Sequence, residues 1–184
     1  MASPQTAVPT EMGAAVPGQI ADDGTARSDE PISCVNAEAS DEIPFGHFVA
    51  QGTTGADGNV TAKRMVEDGT VLGLAVYSAA LGNSALTGTT GIKAGVTFPV
   101  ARKGRYWVAP ITDVTPSSGV HVLHTLVGSD LPGSIRGTAD AGDSIDLSDC
   151  CKWLSSGGPT SAFGLYAVLE IALPAGGSLI TENS

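Results

Sequence analysis

Residues 43–77 read IPFGHFVAQG, TTGADGN, VTAKRMVEDG and TVLGLAVY, and the fold prediction starts from these blocks. Asp57-Gly58 and Asp68-Gly69 are hairpin-turn dipeptides, and each is flanked by residues that favour strands. The last block is apolar almost throughout, which predicts a strand buried on both faces. Gly73 would weaken such a strand unless another part of the chain approaches closely there, and a bulge or close approach is expected at Gly46 as well. The stretch therefore predicts three strands joined by glycine turns.

The remainder of the chain continues this pattern of short candidate strands. Their sequences are ISCVNAE (32–38), VTFPVA (96–101), RYWVAPI (105–111), VHVLHTLVG (120–128), CCKWL (150–154) and FGLYAVLEIAL (163–173). VTFPVA and RYWVAPI are predicted to form a tight hairpin around Lys103-Gly104, and FGLYAVLEIAL is predicted to be the closing core strand. No stretch has helical apolar spacing with a cap at each end. The predicted fold class is all-β, a barrel or jelly-roll-like sandwich of short antiparallel strands.

The first 31 residues differ from the rest in composition. They are rich in Ala, Pro, Gly and Asp, and their apolar residues follow no period. Four prolines within them favour extended backbone. We therefore expect an extended N-terminal arm over residues 1–31 and a single β domain over residues 32–184, which is long enough to form its own core.

Charge is unevenly distributed along a chain whose net charge is −10. Residues 1–60 carry nine acids and one base, residues 61–110 carry six bases and two acids, and residues 111–184 carry eight acids and two bases. Phosphate contacts dominate nucleic-acid binding, so this acidic chain is not expected to bind nucleic acid. The basic middle region is better suited to an acidic protein surface, or to the acidic arm of a neighbouring copy.

Neither a membrane segment nor a secretory signal is visible in the sequence. No apolar run reaches about 18 residues, and the N-terminus MASPQTAVPTEMG lacks a basic region followed by an apolar one. We expect no membrane partner and synthesis in the cytoplasm. Cys34 and the adjacent pair Cys150-Cys151 are expected to be reduced thiols. For the adjacent pair, small apolar packing is preferred over a redox or metal site, because neighbouring cysteines rarely form a disulfide with each other.

Few residues indicate catalysis or metal binding. His121 and His124 frame HVLH, but in a strand this spacing places them on opposite faces, so a shared metal is not expected. An enzyme that uses these histidines with Asp113 is the least favoured hypothesis, since nucleophile-elbow, phosphate-loop and dinucleotide motifs are missing. Four aspartates recur every third residue in DAGDSIDLSD (140–149), but a calcium loop needs a terminal glutamate, so a solvated acidic loop is expected. No catalytic residue, metal or cofactor is predicted.

The most interface-like cluster is RKGRYW, in which Arg102, Lys103, Arg105, Tyr106 and Trp107 lie close together. Arg, Tyr and Trp are enriched among the residues that dominate binding at protein interfaces. Aromatic residues are also common in strands that bind nothing, so an ordinary hairpin with amphipathic side chains is an equally good interpretation.

Four blocks in a fixed order resemble the tailed-phage structural cement, or head decoration, family. They are PGQIAD at residues 17–22, IPFG at 43–46, GLAVY at 73–77 and GRYWV at 104–108. The resemblance extends over about residues 13–110 and becomes weaker after Asp113.

The resemblance implies a β-barrel or jelly-roll-like domain on the outer surface of a bacteriophage head, where it clamps neighbouring major capsid protein subunits. It implies no catalytic residues, and its block in the arm adds Pro17 and Ile20 to the predicted contact residues. Local symmetry on a capsid further predicts a homodimer or homotrimer. A different virion component, such as a tail-tip or collar β-domain, fits the same physical description and is the alternative.

Overall fold

The fold is built from short β-strands. The computed structural model describes residues 16–21, 31–55, 58–78, 81 and 91–174. The strands in these ranges are β1 (Ile32–Asn36), β2 (Ile43–Pro44), β3 (Phe48–Gln51), β4 (Thr61–Arg64), β5 (Val71–Ala75), β6 (Gly91–Ile92), β7 (Thr97–Ala101), β8 (Lys103–Val108), β9 (His121–Leu123), β10 (Ile135–Arg136), β11 (Ser144–Asp146), β12 (Cys151–Trp153) and β13 (Ala167–Ala172). Most of the predicted arm, and Asp57 of the first predicted turn, lie outside the described residues. Where the chain is described, no helix is long and apolar enough to cross a membrane.

Five strands close a barrel in the order β1, β4, β3, β5, β7. Neighbouring strands are antiparallel except β1 and β4, which run parallel with Val35 opposite Thr61. Closure leaves these five strands without an open edge to the sheet. The prediction of an all-β fold with a barrel is confirmed, and the pair β1–β4 is the exception among the described strands to the predicted antiparallel arrangement.

β5 confirms the prediction of a strand buried on both faces, since all five of its residues are buried. Leu72 packs in a hydrophobic cluster to which all five barrel strands contribute. Val71 packs in a second cluster, together with side chains of β8, β12 and β13. A Cβ atom on Gly73 would lie 2.3 Å from the Ala101 carbonyl oxygen, so the close approach predicted at this glycine is also confirmed.

β7 and β8 do not form the predicted hairpin around Lys103-Gly104. β7 pairs with β1 and β5 in the barrel, whereas β8 pairs with β13 in a different sheet. Only Arg102 separates the two strands, and the chain bends there as it passes from one sheet to the other. Gly104 lies inside β8, opposite Ile171. The hairpin prediction was wrong because the residue pattern marks two strands but does not specify the partner of either.

A second sheet has the order β12, β13, β8, and it covers part of the barrel. β13 is antiparallel to both of its neighbours. Tyr106 of β8 and Trp153 of β12 are fully buried in the cluster between this sheet and the barrel. The Trp153 indole N–H donates to the Gly119 carbonyl oxygen at 2.8 Å, so burial of this ring leaves its one donor satisfied. A third sheet places β9 between β10 and β11, and β2 pairs with β6.

Only the second half of the apolar run FGLYAVLEIAL is a strand. β13 begins at Ala167 and faces the core on one side, because buried and half-exposed residues alternate along it. Phe163 and Leu165 lie in the preceding loop with 79% and 49% of their surface exposed. The prediction of a closing core strand is therefore confirmed for β13 and wrong for residues 163–166. Gly164 has φ +101°, which takes the chain out of the extended conformation.

Candidate contact surface

Residues 16–21 form an additional edge on β8, and we call them the edge segment. Ile20 forms an antiparallel bridge with Tyr106. The Gly18 N–H donates to the Trp107 carbonyl oxygen at 2.7 Å, and the Trp107 N–H donates to the Gln19 carbonyl oxygen at 2.8 Å. The second sheet is thereby extended to the order edge segment, β8, β13, β12, and we call this assembly the contact sheet. It brings Pro17 and Ile20, predicted from the arm, beside the cluster predicted at residues 102–107.

Gly18 holds the edge segment in place at a crowded junction. A Cβ atom on Gly18 would lie 2.7 Å from the Ala75 carbonyl oxygen, 2.8 Å from the Tyr77 nitrogen and 2.9 Å from the Gly46 nitrogen. The Gly46 N–H donates to Ala75, and the Tyr77 N–H donates to Gly18. The close approach predicted at Gly46 is therefore confirmed. Together with the Trp107 hydrogen bond, these contacts unite the four sequence blocks that carry the family resemblance at one point.

The outer face of the contact sheet carries a row of three charged side chains, one from each of β8, β13 and β12. Arg105 Nε lies 2.9 Å from Glu170 Oε1, and Lys152 Nζ lies 2.7 Å from Glu170 Oε2. The strand register places Glu170 directly between its two partners. Hydrogen bonds from Lys152 and then Arg105 lower the pKa of the Glu170 carboxyl below its ordinary value. This acid is therefore ionised at neutral pH and is shared by two bases.

An apolar row runs parallel to the charged row on the same face. Trp107 lies opposite Val168, and both are half-buried. Leu154 donates its N–H to the Val168 carbonyl oxygen and is 38% exposed. Residues two positions apart in a strand point to the same face, so these three side chains lie beside the charged row. The outer face thus combines an aromatic ring, aliphatic groups and charge within a few residues, which is the composition of many protein contact surfaces.

The predicted contact residues occupy different environments within the contact sheet. Lys103 is exposed, and Arg105 and Trp107 are half-buried on the outer face. Tyr106 has none of its surface exposed and belongs to the core side of the sheet. Arg102 lies at the bend before β8, where its carbonyl oxygen accepts the Leu173 N–H and its guanidinium donates to the Pro174 carbonyl oxygen. The structure therefore gathers the predicted residues around one sheet, with Tyr106 supporting it from within.

Sequence reasoning missed three residues that complete the outer face, namely Lys152, Leu154 and Glu170. A signal was present for Glu170, since a single acid in the apolar strand AVLEIA points out of the core when the strand faces it on one side only. With Arg102, the strands β8, β12 and β13 carry four bases and one acid. This sheet is therefore basic in a chain whose net charge is −10.

The residues of the hydrolase hypothesis have separate partners. His121 Nδ1 lies 3.9 Å from Asp146 Oδ1. The Asp113 carboxylate accepts the Thr160 backbone N–H and the Thr160 hydroxyl, and these hydrogen bonds lower its pKa. His124 is buried, with 3% of its surface exposed, whereas His121 is half-buried.

The aspartates of residues 140–149 also face different partners. Asp140 pairs with Arg136, Asp143 accepts the Thr125 hydroxyl, and Asp146 accepts both the N–H and the hydroxyl of Ser148. Across the described part of the chain, no group of three or more His, Cys, Asp or Glu side chains is arranged to hold a metal ion.

All three cysteines are free thiols. Cys34 is fully buried, and burial raises the pKa of its thiol to about 11. Cys150 Sγ and Cys151 Sγ are 4.0 Å apart. The hydrogen bond between them raises the pKa of Cys151 and lowers that of Cys150. Cys151 packs in the core and Cys150 packs against it, so the arrangement agrees with the apolar packing expected for the pair.

Comparison with known proteins identifies a solved structure with a similar fold. No curated protein matches the chain. Among solved structures, a chain from the capsid of Myoviridae phage XM1 is similar, with a TM-score of 0.57 and 15% sequence identity, over 91% of this chain and 96% of that chain. At this level of identity the likeness shows a shared fold.

The family is shown by a match to the model described as structural cement protein (E217 gp24/Pam3 gp6), which covers residues 4–171. That range includes the barrel, the contact sheet except Ala172, and the junction at Gly18, so the resemblance based on four sequence blocks is confirmed. A family of structural proteins also agrees with the expectation that the chain is not an enzyme. Because the match covers most of its length, the chain belongs to the phage structural cement protein family.

Proposed function

We propose that this protein binds the outside of a phage head and clamps neighbouring major capsid protein subunits through the outer face of the contact sheet. Family membership supports a structural role in the capsid. The proposal that the contact sheet binds the capsid subunits is based on its charge, which is opposite in sign to the net charge of the chain. β8, β12, β13 and the adjoining Arg102 together contribute four bases and one acid, whereas the chain as a whole has a net charge of −10.

A basic face on an acidic protein favours one orientation towards an acidic partner. Complementary potentials steer the encounter and disfavour contacts through the acidic remainder of the surface. The apolar row then supplies contact area, with Trp107 as the residue type that most often dominates binding. Glu170 fixes Arg105 and Lys152 in place, so less side-chain freedom is lost when the partner binds.

Clamping requires each copy, or each oligomer, to contact more than one subunit. A homodimer or homotrimer of this chain would present several contact sheets, and avidity would then convert modest individual affinities into stable attachment. We also propose the division into an arm over residues 1–31 and a single β domain over residues 32–184. In that division, the edge segment belongs to the arm and lies on the protein's own contact sheet.

The test is a charge-reversed protein. Lys103→Glu combined with Lys152→Glu should weaken binding to heads lacking this protein by at least about tenfold, because two attractive contacts become repulsive. Lys63→Glu combined with Lys93→Glu makes the same change in net charge on β4 and in the turn after β6, and should leave head binding unchanged. Binding is measured by co-sedimentation with heads, after confirming that both variants unfold at the wild-type temperature.

Two results would overturn this assignment of the surface. One is full head binding by the contact-sheet variant. The other is an equal loss in both double variants, since net charge alone would then explain it. Labelling the protein on intact particles separates the head from the alternative tail-tip or collar position. Label spread over the shell supports the proposal, and label at one vertex contradicts it.

A further inference from the structure

The loop between β12 and β13 presents the most exposed large apolar side chain in the described structure. We call residues 155–166 the Phe163 loop. Phe163 is 79% exposed and Leu165 is 49% exposed. Large apolar groups left in water are costly, and two of them exposed on one loop are typical of a contact with another protein.

The Phe163 loop is held in one conformation by hydrogen bonds at its base. Val114 and Gly157 exchange backbone hydrogen bonds of 2.8 Å and 3.2 Å. The Asp113 carboxylate accepts the Thr160 N–H at 2.9 Å and also accepts the Thr160 hydroxyl. Gly158 packs so closely that a Cβ atom there would lie 2.5 Å from Asp113 Cα. The loop is therefore ordered before any partner arrives.

The tip of the loop is fixed in the same way. The Gly158 N–H donates to the Gly164 carbonyl oxygen at 3.0 Å, and the Gly164 N–H donates to the Ser161 carbonyl oxygen at 3.2 Å. The Phe163 N–H donates to Ser161 Oγ at 3.2 Å. A preorganised loop loses little conformational entropy on binding, which makes an exposed aromatic at its tip an effective contact residue.

Charge identifies the partner of this loop. The twelve residues SSGGPTSAFGLY contain no charged side chain, in a chain whose net charge is −10. Two copies of an acidic protein repel each other across most of their surfaces. They approach at lower cost through the tip of this loop, which has no charge of its own, while the Asp113 carboxylate is bound by Thr160 at the base of the loop. The loop also lies at the end of the contact sheet formed by Trp153 and Ala167, which leaves the outer face of that sheet available to a different partner.

We infer that the Phe163 loop is the contact through which copies of this protein associate with one another. The inference rests on the self-association included in the proposed function, but not on the surface proposed for head binding. The basic contact sheet and the uncharged loop are thus assigned to two different partners of one chain. Phe163 and Leu165 are the residues buried when two copies meet.

The experiment measures self-association of the full-length protein in the absence of heads. Sedimentation velocity over a range of concentrations should show an oligomer for the wild type, and Phe163→Ser should raise its dissociation constant by roughly 30-fold or more, as removal of a dominant contact residue does. Leu126→Ser is the matched control, since Leu126 is 62% exposed on a different loop, and it should leave association unchanged. Phe163→Ser should unfold at the wild-type temperature because the ring is exposed.

Salt provides a second readout. Association through an uncharged loop of an acidic protein should be unchanged or stronger when salt rises from about 0.05 M to about 0.5 M, because salt screens the repulsion between copies. Weakening by salt would show that charged groups make the contact, and would overturn the inference. It would also be overturned by unchanged association of Phe163→Ser, or by a monomeric wild type whose Phe163→Ser variant loses head binding. The two proposals can also fail separately. If the charge-reversed protein still binds heads while the Phe163→Ser variant no longer self-associates, only the contact-sheet proposal is refuted.

Discussion

The barrel and the contact sheet use the same kind of strand under different constraints. β5 in the barrel has all five residues buried, whereas β13 in the contact sheet alternates buried and half-exposed residues. β5 is packed on two faces, so each of its positions contributes to stability. A contact-sheet strand is packed on one face only, so its other face is free to carry Arg105, Glu170 and Lys152. The buried strand β5 should therefore contribute to stability at every position, whereas the outer face of the contact sheet should contribute to binding more than to stability.

The largest effect is expected from added bulk inside the barrel. Gly73→Val should lower the free energy of unfolding by about 3 kcal/mol or more, because the new atoms have nowhere to go and the backbone must shift. Its Cβ would lie 2.3 Å from the Ala101 carbonyl oxygen and 2.7 Å from Val100 Cγ1. Urea unfolding followed by tryptophan fluorescence measures the change.

Ala172→Val is the matched control on the contact sheet. It adds bulk to β13 at an exposed position, and should alter the free energy of unfolding by no more than about 0.5 kcal/mol. If both variants lose the same stability, the proposed division between the two regions is wrong.

An effect of intermediate size on the free energy of unfolding is expected at low pH, through a buried histidine beside the barrel. His47 lies just before β3, and in the described part of the chain its buried Nδ1 has no hydrogen-bond partner. Burial, and then the charge of Arg64, lower the pKa of His47 from 6.5 to about 4, against an opposing hydrogen bond to the Pro132 backbone. The unfolded chain therefore binds this proton more tightly than the folded one. Stability due to neutral His47 is complete above pH 6.5 and is lost as the pH falls towards 4.

The loss corresponds to about 3 kcal/mol at most, given the free energy that accompanies each unit of pKa shift. Urea unfolding of the wild type and of His47→Gln, measured between neutral pH and pH 4, isolates this contribution as the difference between their pH profiles. Parallel profiles for the two proteins would show that His47 does not couple stability to pH.

The two regions also differ in how far the sequence predicts them. The burial of β5 and the close approach at Gly73 follow from local pattern. Local pattern also indicates a turn at Asp68-Gly69, where Asp68 has φ 56°, but the hairpin predicted there was wrong, because β4 and β5 both pair with β3 and not with each other. Local pattern also marks β7 and β8, but the partner of β8 is β13, about sixty residues further along the chain. Pairing at that separation is decided by how the sheets pack, which residue spacing does not encode.

The candidate contact surface was predicted only in part, again because strands that are distant in sequence contribute to it. Arg102, Lys103, Arg105 and Trp107 are adjacent in sequence, so their cluster was visible, and the arm block supplied Pro17 and Ile20. Lys152 lies in β12 and Leu154 directly follows that strand, which joins the surface only through β13. Phe163 was assigned to the core because its neighbours are apolar, and hydrophobic residues outside a core cannot be distinguished by composition.

The smallest effect on the free energy of unfolding is expected when a charge is removed from the outer face of the contact sheet. Glu170→Gln removes the acid between Arg105 and Lys152, and should lower the free energy of unfolding at pH 7 by about 1 kcal/mol or less, because the pairs lie at the surface where water screens them. The folded-state pKa of Glu170 is lowered, so this contribution is present above the carboxyl's unfolded pKa and is lost as the pH falls through the folded value. The wild type and Glu170→Gln should therefore converge in stability on acidification, as measured by urea unfolding at pH 7 and at about pH 3. A loss as large as that of Gly73→Val would mean that the charged row stabilises the fold, and the contact sheet would then no longer be free to vary for binding.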